Sequence, residues 1–116
     1  MNIVFCDDEE SILELYISEI EYALPEHKVV GISCPLKALD YCQNNSVDLL
    51  FTDGRMPKMN GIELAKNIKD IENAPQVILI TGYVGTPDQP LEEVGISKVF
   101  NKPINYDELI DFIRLY

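Results

Sequence analysis

Val47-Asp48-Leu49-Leu50-Phe51-Thr52-Asp53-Gly54 runs from an apolar, β-favouring segment directly into an aspartate and a glycine. The same arrangement recurs three times: Ile3-Val4-Phe5 before Cys6-Asp7-Asp8, Val77-Ile78-Leu79-Ile80 before Thr81-Gly82, and Val99-Phe100 before Asn101-Lys102-Pro103. Apolar runs of this length suit strands buried on both faces, and strands of a parallel sheet point the same way. The residues that follow them then gather at the carboxyl edge, where open α/β sheets place their ligands. Three carboxylates, a hydroxyl and an amine would share one cleft. Carboxylates suit a divalent cation, and the hydroxyl and amine suit an anion such as phosphate. The combination implies a site for moving a phosphoryl group onto an aspartate.

Between the strand signals lie helical ones. Ile12, Leu15, Tyr16, Ile20 and Ala23, with Glu19 as a polar exception, recur at helical spacing and Pro25 closes the segment. Lys28 to Ile32 reads as a second strand. Ser33 is a candidate cap and Pro35 suits a first helical position. That second helix carries Leu36, Leu39, Tyr41 and Cys42 and ends near Asn44-Asn45. Val47 to Phe51 is strand three, and Asn60-Gly61 marks a turn. Ile62, Ala65 and Ile68, beside Leu64 and Ile71, give helix three, which Ala74-Pro75 breaks. Gln76 to Ile80 and Ser97 to Phe100 are strands four and five. Leu109, Ile110, Phe112 and Ile113 form the inner face of a last helix beginning near Asn105. Strands alternating with helices predict one doubly wound α/β domain over residues 1–116, with a five-stranded parallel sheet in the order 2-1-3-4-5.

Composition bounds the function. Hydrophobic content of 47% and charged content of 25% are ordinary for one globular domain. No apolar run approaches the roughly 20 residues that span a bilayer. Met1-Asn2-Ile3-Val4 lacks the basic and apolar regions of a signal peptide, so a cytoplasmic setting is expected. Cys6, Cys34 and Cys42 show no metal-ligand spacing and read as reduced packing thiols. The net charge of −11 repels nucleic acid and anionic membrane, so direct binding to either is not expected. His27, the one histidine, reads as an exposed loop residue.

Four motifs in order carry a family resemblance. Asp7-Asp8, the run Asp53-Gly54-Arg55-Met56-Pro57-Lys58-Met59-Asn60-Gly61, Thr81-Gly82 and Lys102-Pro103 together resemble a response-regulator receiver domain of the chemotaxis-regulator type. The long run matches that family's D-x-x-M-P-x-M-x-G pattern. The resemblance covers essentially the whole chain and implies two-component signalling. It makes Asp53 the phosphoacceptor, taking a phosphoryl group from a histidine kinase or histidine phosphotransfer protein. Mg²⁺ would be bound directly by Asp8, Asp53 and the Arg55 backbone carbonyl, with Asp7 acting through water. Thr81 and Lys102 would contact phosphoryl oxygens, Pro103 would follow a cis bond, and Gly82 would leave room for its N–H to donate. Met56 and Met59 would pack the loop.

Two departures concern output to an unknown partner or domain. The family's inward-swinging aromatic stands three residues before the lysine, where this chain has Val99; Phe100 lies one place later and so on the opposite strand face. Tyr83 is the candidate replacement. Second, Gly85, Pro87 and Pro90 shorten helix four to a stretch at Leu91-Glu92-Glu93-Val94, with Asp88 or Gln89 as its cap, and leave residues 83–95 the loosest part of the chain. A flavodoxin would need a phosphate loop where Asp7-Asp8-Glu9-Glu10 stands, and a haloacid-dehalogenase-type phosphatase would need an acid where Arg55 stands. The remaining alternative is a receiver-like interaction module independent of phosphorylation. With no effector segment after Tyr116, the sequence suits a stand-alone regulator or a receiver excised from a longer chain.

Overall fold

Buried on both faces, an apolar run has nowhere to go but the middle of a sheet, and the three such runs ending at Cys6, Asp53 and Thr81 lie side by side there, with the Leu49–Asp53 strand at the centre. The structure, a computed structural model, describes residues 1–82 and 90–116. Its strands are β1 (Asn2–Cys6), β2 (Lys28–Ile32), β3 (Leu49–Asp53), β4 (Gln76–Thr81) and β5 (Ile96–Asn101), all parallel in the order β2-β1-β3-β4-β5. The helices are α1 (Glu10–Ala23), α2 (Pro35–Asn44), α3 (Gly61–Ile68) and α4 (Tyr106–Leu115). Leu91–Val94 forms a single 3₁₀ turn, closed by Gly95 in the left-handed conformation that glycine adopts without penalty. The shortened helix read from the sequence is present there. Tyr83, and Asp88 and Gln89 as its proposed caps, lie outside the described residues.

Alternation along the strands divides the core in two. Ile3, Phe5, Leu49, Phe51, Ile78, Ile80 and Phe100 face α1 and α4. Val4, Cys6, Leu50, Val77, Leu79 and Ile96 face α2 and α3. Phe5 stacks on Phe51 with ring centroids 4.7 Å apart, and Phe112 of α4 meets Phe51 and Phe100 edge-on. Such aromatic pairs contribute about 0.5–1.5 kcal/mol beyond their buried area.

Several local readings are corrected. Leu13, Tyr16 and Ile20 form the buried stripe of α1, and Leu15 is exposed. A three-residue step from Leu13 leads to Tyr16 and a four-residue step on to Ile20, so Leu15 points off that line. Ser33 does not cap α2. Pro35 occupies the first turn, which makes Cys34 the boundary residue, without a side-chain cap. Asn60-Gly61 is a helix start and not a free turn. The Asn60 side chain accepts from the Glu63 N–H, and the Glu63 carboxylate accepts from the Asn60 N–H, a complete capping box. Gly61 then opens α3 so close to β3 that a Cβ there would run into the Asp53 carbonyl oxygen.

This box holds α3 against the end of β3. Asn60→Ala removes one half of it and should lower the unfolding free energy by about 1 kcal/mol in urea titration. Leu15→Ser, on the exposed side of α1, should change it by less than about 0.5 kcal/mol. Equal losses at the two positions would contradict the assignment of buried and exposed faces.

Candidate functional site

The ends of β1, β3, β4 and β5 converge at one edge. Asp7 and Asp8 leave β1, Asp53 closes β3, Thr81 closes β4 and Lys102 follows β5. One carboxylate oxygen from each of Asp7, Asp8 and Asp53 lies within 4.8 Å of the others. Asp7 is 1% exposed, Asp53 is partly buried and Asp8 faces solvent. Lys102 bridges two of them, its Nζ 3.3 Å from Asp7 Oδ2 and 3.3 Å from Asp53 Oδ1.

Backbone donors fix the remaining lone pairs. The Glu9 N–H donates to Asp7 Oδ1 at 2.9 Å, and the Gly54 N–H donates to Asp53 Oδ1 at 2.8 Å. The Thr52 hydroxyl, fully buried, donates to the Asp53 carbonyl at 3.0 Å. The Lys102 N–H donates to the Thr81 carbonyl at 2.9 Å, which ties the amine's backbone to the hydroxyl-bearing residue. The Lys102–Pro103 peptide is cis.

Burial and charge compete at these groups. Burial raises the Asp7 carboxyl above its usual 3.8, against the opposing pull of the Glu9 N–H and the Lys102 charge; Asp53 raises it further. Burial pulls Lys102 down, but the charges of Asp53 and Asp7 hold it above its usual 10.5. The cation therefore remains protonated at every physiological pH.

The loop after Asp53 is seated from the other side of the sheet. Met56 and Met59 pack against the α2–α3 core, and Met56 Sδ accepts from the Cys6 thiol at 3.6 Å. Burial pushes that thiol up to about 12, so Cys6 stays protonated. Cys42 is also buried, Cys34 is partly exposed, and none of the three is in a disulfide. His27 is partly buried, with Nδ1 2.8 Å from the terminal amine, and lies far from the cleft at the opposite strand ends.

Of the residues singled out in the sequence, Asp7, Asp8, Asp53, Thr81 and Lys102 meet at this edge, and Arg55 sits in the loop beside them. Val99 and Phe100 stand on opposite faces of β5: Phe100 in the α1–α4 core, Val99 against the α2–α3 side. Gly82 is not sterically demanded, since a Cβ there would meet only the Lys102 Cβ at an ordinary 3.9 Å. The glycine set tightly against the Thr81 hydroxyl is Gly54, where a Cβ would lie 2.9 Å from Thr81 Oγ1. Only the parallel register, which sets Asp53 opposite Ile80 and so Gly54 beside Thr81, reveals that contact.

The oxygens at this edge form an all-oxygen donor set of two or three carboxylates with a backbone carbonyl nearby, and this fits a small divalent cation that keeps several waters. Among the described residues no helix is long and apolar enough to cross a membrane.

Comparison with known proteins agrees with the fold. Residues 3–114 match the response regulator receiver domain, and the chain belongs to that family, the receiver domains of two-component signalling. It is 36% identical over 114 residues to the cyclic di-GMP phosphodiesterase response regulator RpfG of Xanthomonas campestris, covering 94% of this chain and 30% of that protein. It is 37% identical over 83 residues to sporulation initiation phosphotransferase F of Bacillus subtilis, covering 70% of this chain and 66% of that one. The chain thus spans less than a third of the first relative's length. The receiver domain of a Pseudomonas aeruginosa sensor histidine kinase, solved with a magnesium ion coordinated in its active site cleft, superposes with a TM-score of 0.86 at 17% identity, over 99% of this chain and 95% of that one.

Asp7 has a raised carboxyl, so it binds its proton more tightly folded than unfolded. Its charge opposes folding, by an amount absent at low pH and growing as pH rises from 3.8 through the raised value. Asp7→Asn should therefore melt higher than the parent in chelator at neutral pH, by roughly 4 °C for each kcal/mol regained. The gap should close on acidification, as calorimetry across pH would show. A variant that melts lower at neutral pH would mean that pairing with Lys102 outweighs burial.

Proposed function

We propose that Asp53 accepts a phosphoryl group from the phosphohistidine of a histidine kinase or histidine phosphotransfer protein, in a Mg²⁺-dependent step that switches the domain toward an output partner. One observation carries this reading: a three-carboxylate cluster bridged by a lysine whose backbone is tied to a buried threonine. An ordinary acidic surface patch has neither the partly buried amine nor the adjacent hydroxyl.

Asp53 is the nucleophile. Its Oδ1 accepts from the Gly54 N–H and faces the Lys102 ammonium, which leaves Oδ2 as the oxygen to attack phosphorus. The Asp53 oxygen forms a bond to phosphorus as the phosphorus–nitrogen bond breaks, and the electron pair returns to the donor imidazole. Asp8, Asp53 and the Arg55 carbonyl would hold Mg²⁺, and Asp7, buried and already engaged with Glu9 and Lys102, would act through water. When bound, the ion offsets the combined negative charge of the carboxylates and phosphoryl oxygens. Lys102 then turns from Asp53 toward a phosphoryl oxygen, and Thr81 donates to another. The transition state is loose, so charge and positioning supply most of the acceleration.

Residues 1–116 act as one phosphoacceptor unit in the cytoplasm, catalysing only their own phosphorylation and dephosphorylation. A net charge of −11 argues against direct contact with nucleic acid or an anionic membrane. Val99, Phe100 and Tyr83 are the candidate output residues.

Incubation with acetyl phosphate and Mg²⁺, followed by intact mass, should show one base-labile phosphoryl group. It should be absent from Asp53→Asn and after chelation. Undiminished labelling of Asp53→Asn would overturn the assignment. In Mg²⁺ titrations Asp8→Ala should weaken binding more than Asp7→Ala; the reverse order would exchange their roles.

A further inference from the structure

Gly54 follows the acceptor aspartate, and its missing side chain has one consequence. A Cβ at position 54 would stand 2.9 Å from Thr81 Oγ1 and 3.3 Å from Thr81 Cβ. The next nearest atom would be a Leu79 methyl, at an ordinary 3.8 Å. Neither backbone can yield to relieve this crowding. The Gly54 N–H donates to Asp53 Oδ1, and its carbonyl accepts from Gly61 at 3.1 Å. Thr81 is paired to Asn101 of β5, and its carbonyl accepts from Lys102. What must move is the Thr81 side chain, by rotation about a stiff β-branched torsion.

Gly54 is also not required for its backbone freedom. Among the described glycines only Gly95 has the left-handed conformation. An alanine is therefore conformationally acceptable at position 54, and the clearance is the one property it removes.

We propose that Gly54 is a positioning residue for phosphoryl transfer: the space it leaves defines where the Thr81 hydroxyl stands, and thereby how that hydroxyl reaches a phosphoryl group on Asp53. This rests on the assignment of Asp53 as acceptor and Thr81 as phosphoryl contact. It adds that the residue after the acceptor controls the rate through β4, with no contact of its own to the phosphoryl group beyond its backbone.

The test measures labelling rates with acetyl phosphate and Mg²⁺ on the full chain for the parent, Gly54→Ala, Thr81→Ala and the double variant. Gly54→Ala should label roughly tenfold more slowly, since misplacing a positioned group by about 1 Å can cost up to about a hundredfold. In the Thr81→Ala background, where the hydroxyl is gone, Gly54→Ala should add no more than about a twofold loss. Its Mg²⁺ affinity should stay within about twofold of the parent, because the carboxylates and their donors are untouched. Labelling of Gly54→Ala at the parent rate, or a full penalty persisting without the Thr81 hydroxyl, overturns the proposal while leaving Asp53 as acceptor. A parent chain that takes no label on Asp53 overturns the functional reading and this proposal together.

Discussion

The contact of the Lys102 ammonium with Asp7 and Asp53 makes the cleft possible. A parallel sheet collects its strand ends whether or not their charges agree, and here it collects three carboxylates within 4.8 Å. At such separations in a partly buried site, like charges repel by several kcal/mol at an effective dielectric near 20. Lys102 relieves two of them at once. It does so from the end of β5, across the end of β4 from Asp53. The hydrogen bond from its backbone to Thr81 keeps the side chain's origin fixed while the ammonium can change partners.

How far this was legible in the sequence depended on which interactions are local. The β1, β3 and β4 runs and the edge they build could be read because a strand buried on both faces has an unambiguous composition. The motif residues Asp7, Asp8, Asp53, Thr81 and Lys102 could be placed together because chain direction alone sends them to one edge. Leu13 and Leu15 could not be told apart by periodicity, since both are apolar and only packing on β1 and β2 selects one. Asn60-Gly61 looked like a turn because the same residue types serve turns and caps; the reciprocal bond with Glu63 decides it. Gly54 was hidden for a different reason: its partner, Thr81, is remote in sequence and meets it only through strand register.

Alternation along β5 bears on how the two cores communicate. Phe100 packs with Phe112 on the α4 side, and Val99 lies against the α2–α3 side with the 3₁₀ turn that follows residue 90. Lys69 at the end of α3 donates to the Glu93 carbonyl of that turn at 3.0 Å, and Gly95 allows the close approach of the Lys69 stem. The loop after Asp53 is thus joined, through its capping box and α3, to the segment entering β5. This connection is independent of the β4 route through Thr81.

The Cys6–Met56 contact has a bearing on metal choice. The side-chain anchor of the segment bearing the Arg55 carbonyl is a sulfur–sulfur contact to β1, beside the backbone bond from Gly61 to the Gly54 carbonyl. Thioether and thiol are soft donors, with little attraction for a hard ion such as Mg²⁺, while the carboxylates and carbonyl are the reverse. Thiophilic ions would prefer the sulfur pair, yet burial keeps Cys6 protonated and denies them a thiolate. Anchor and ligands therefore belong to different chemical affinities, and the loop can be held firmly without competing for the ion it helps to bind.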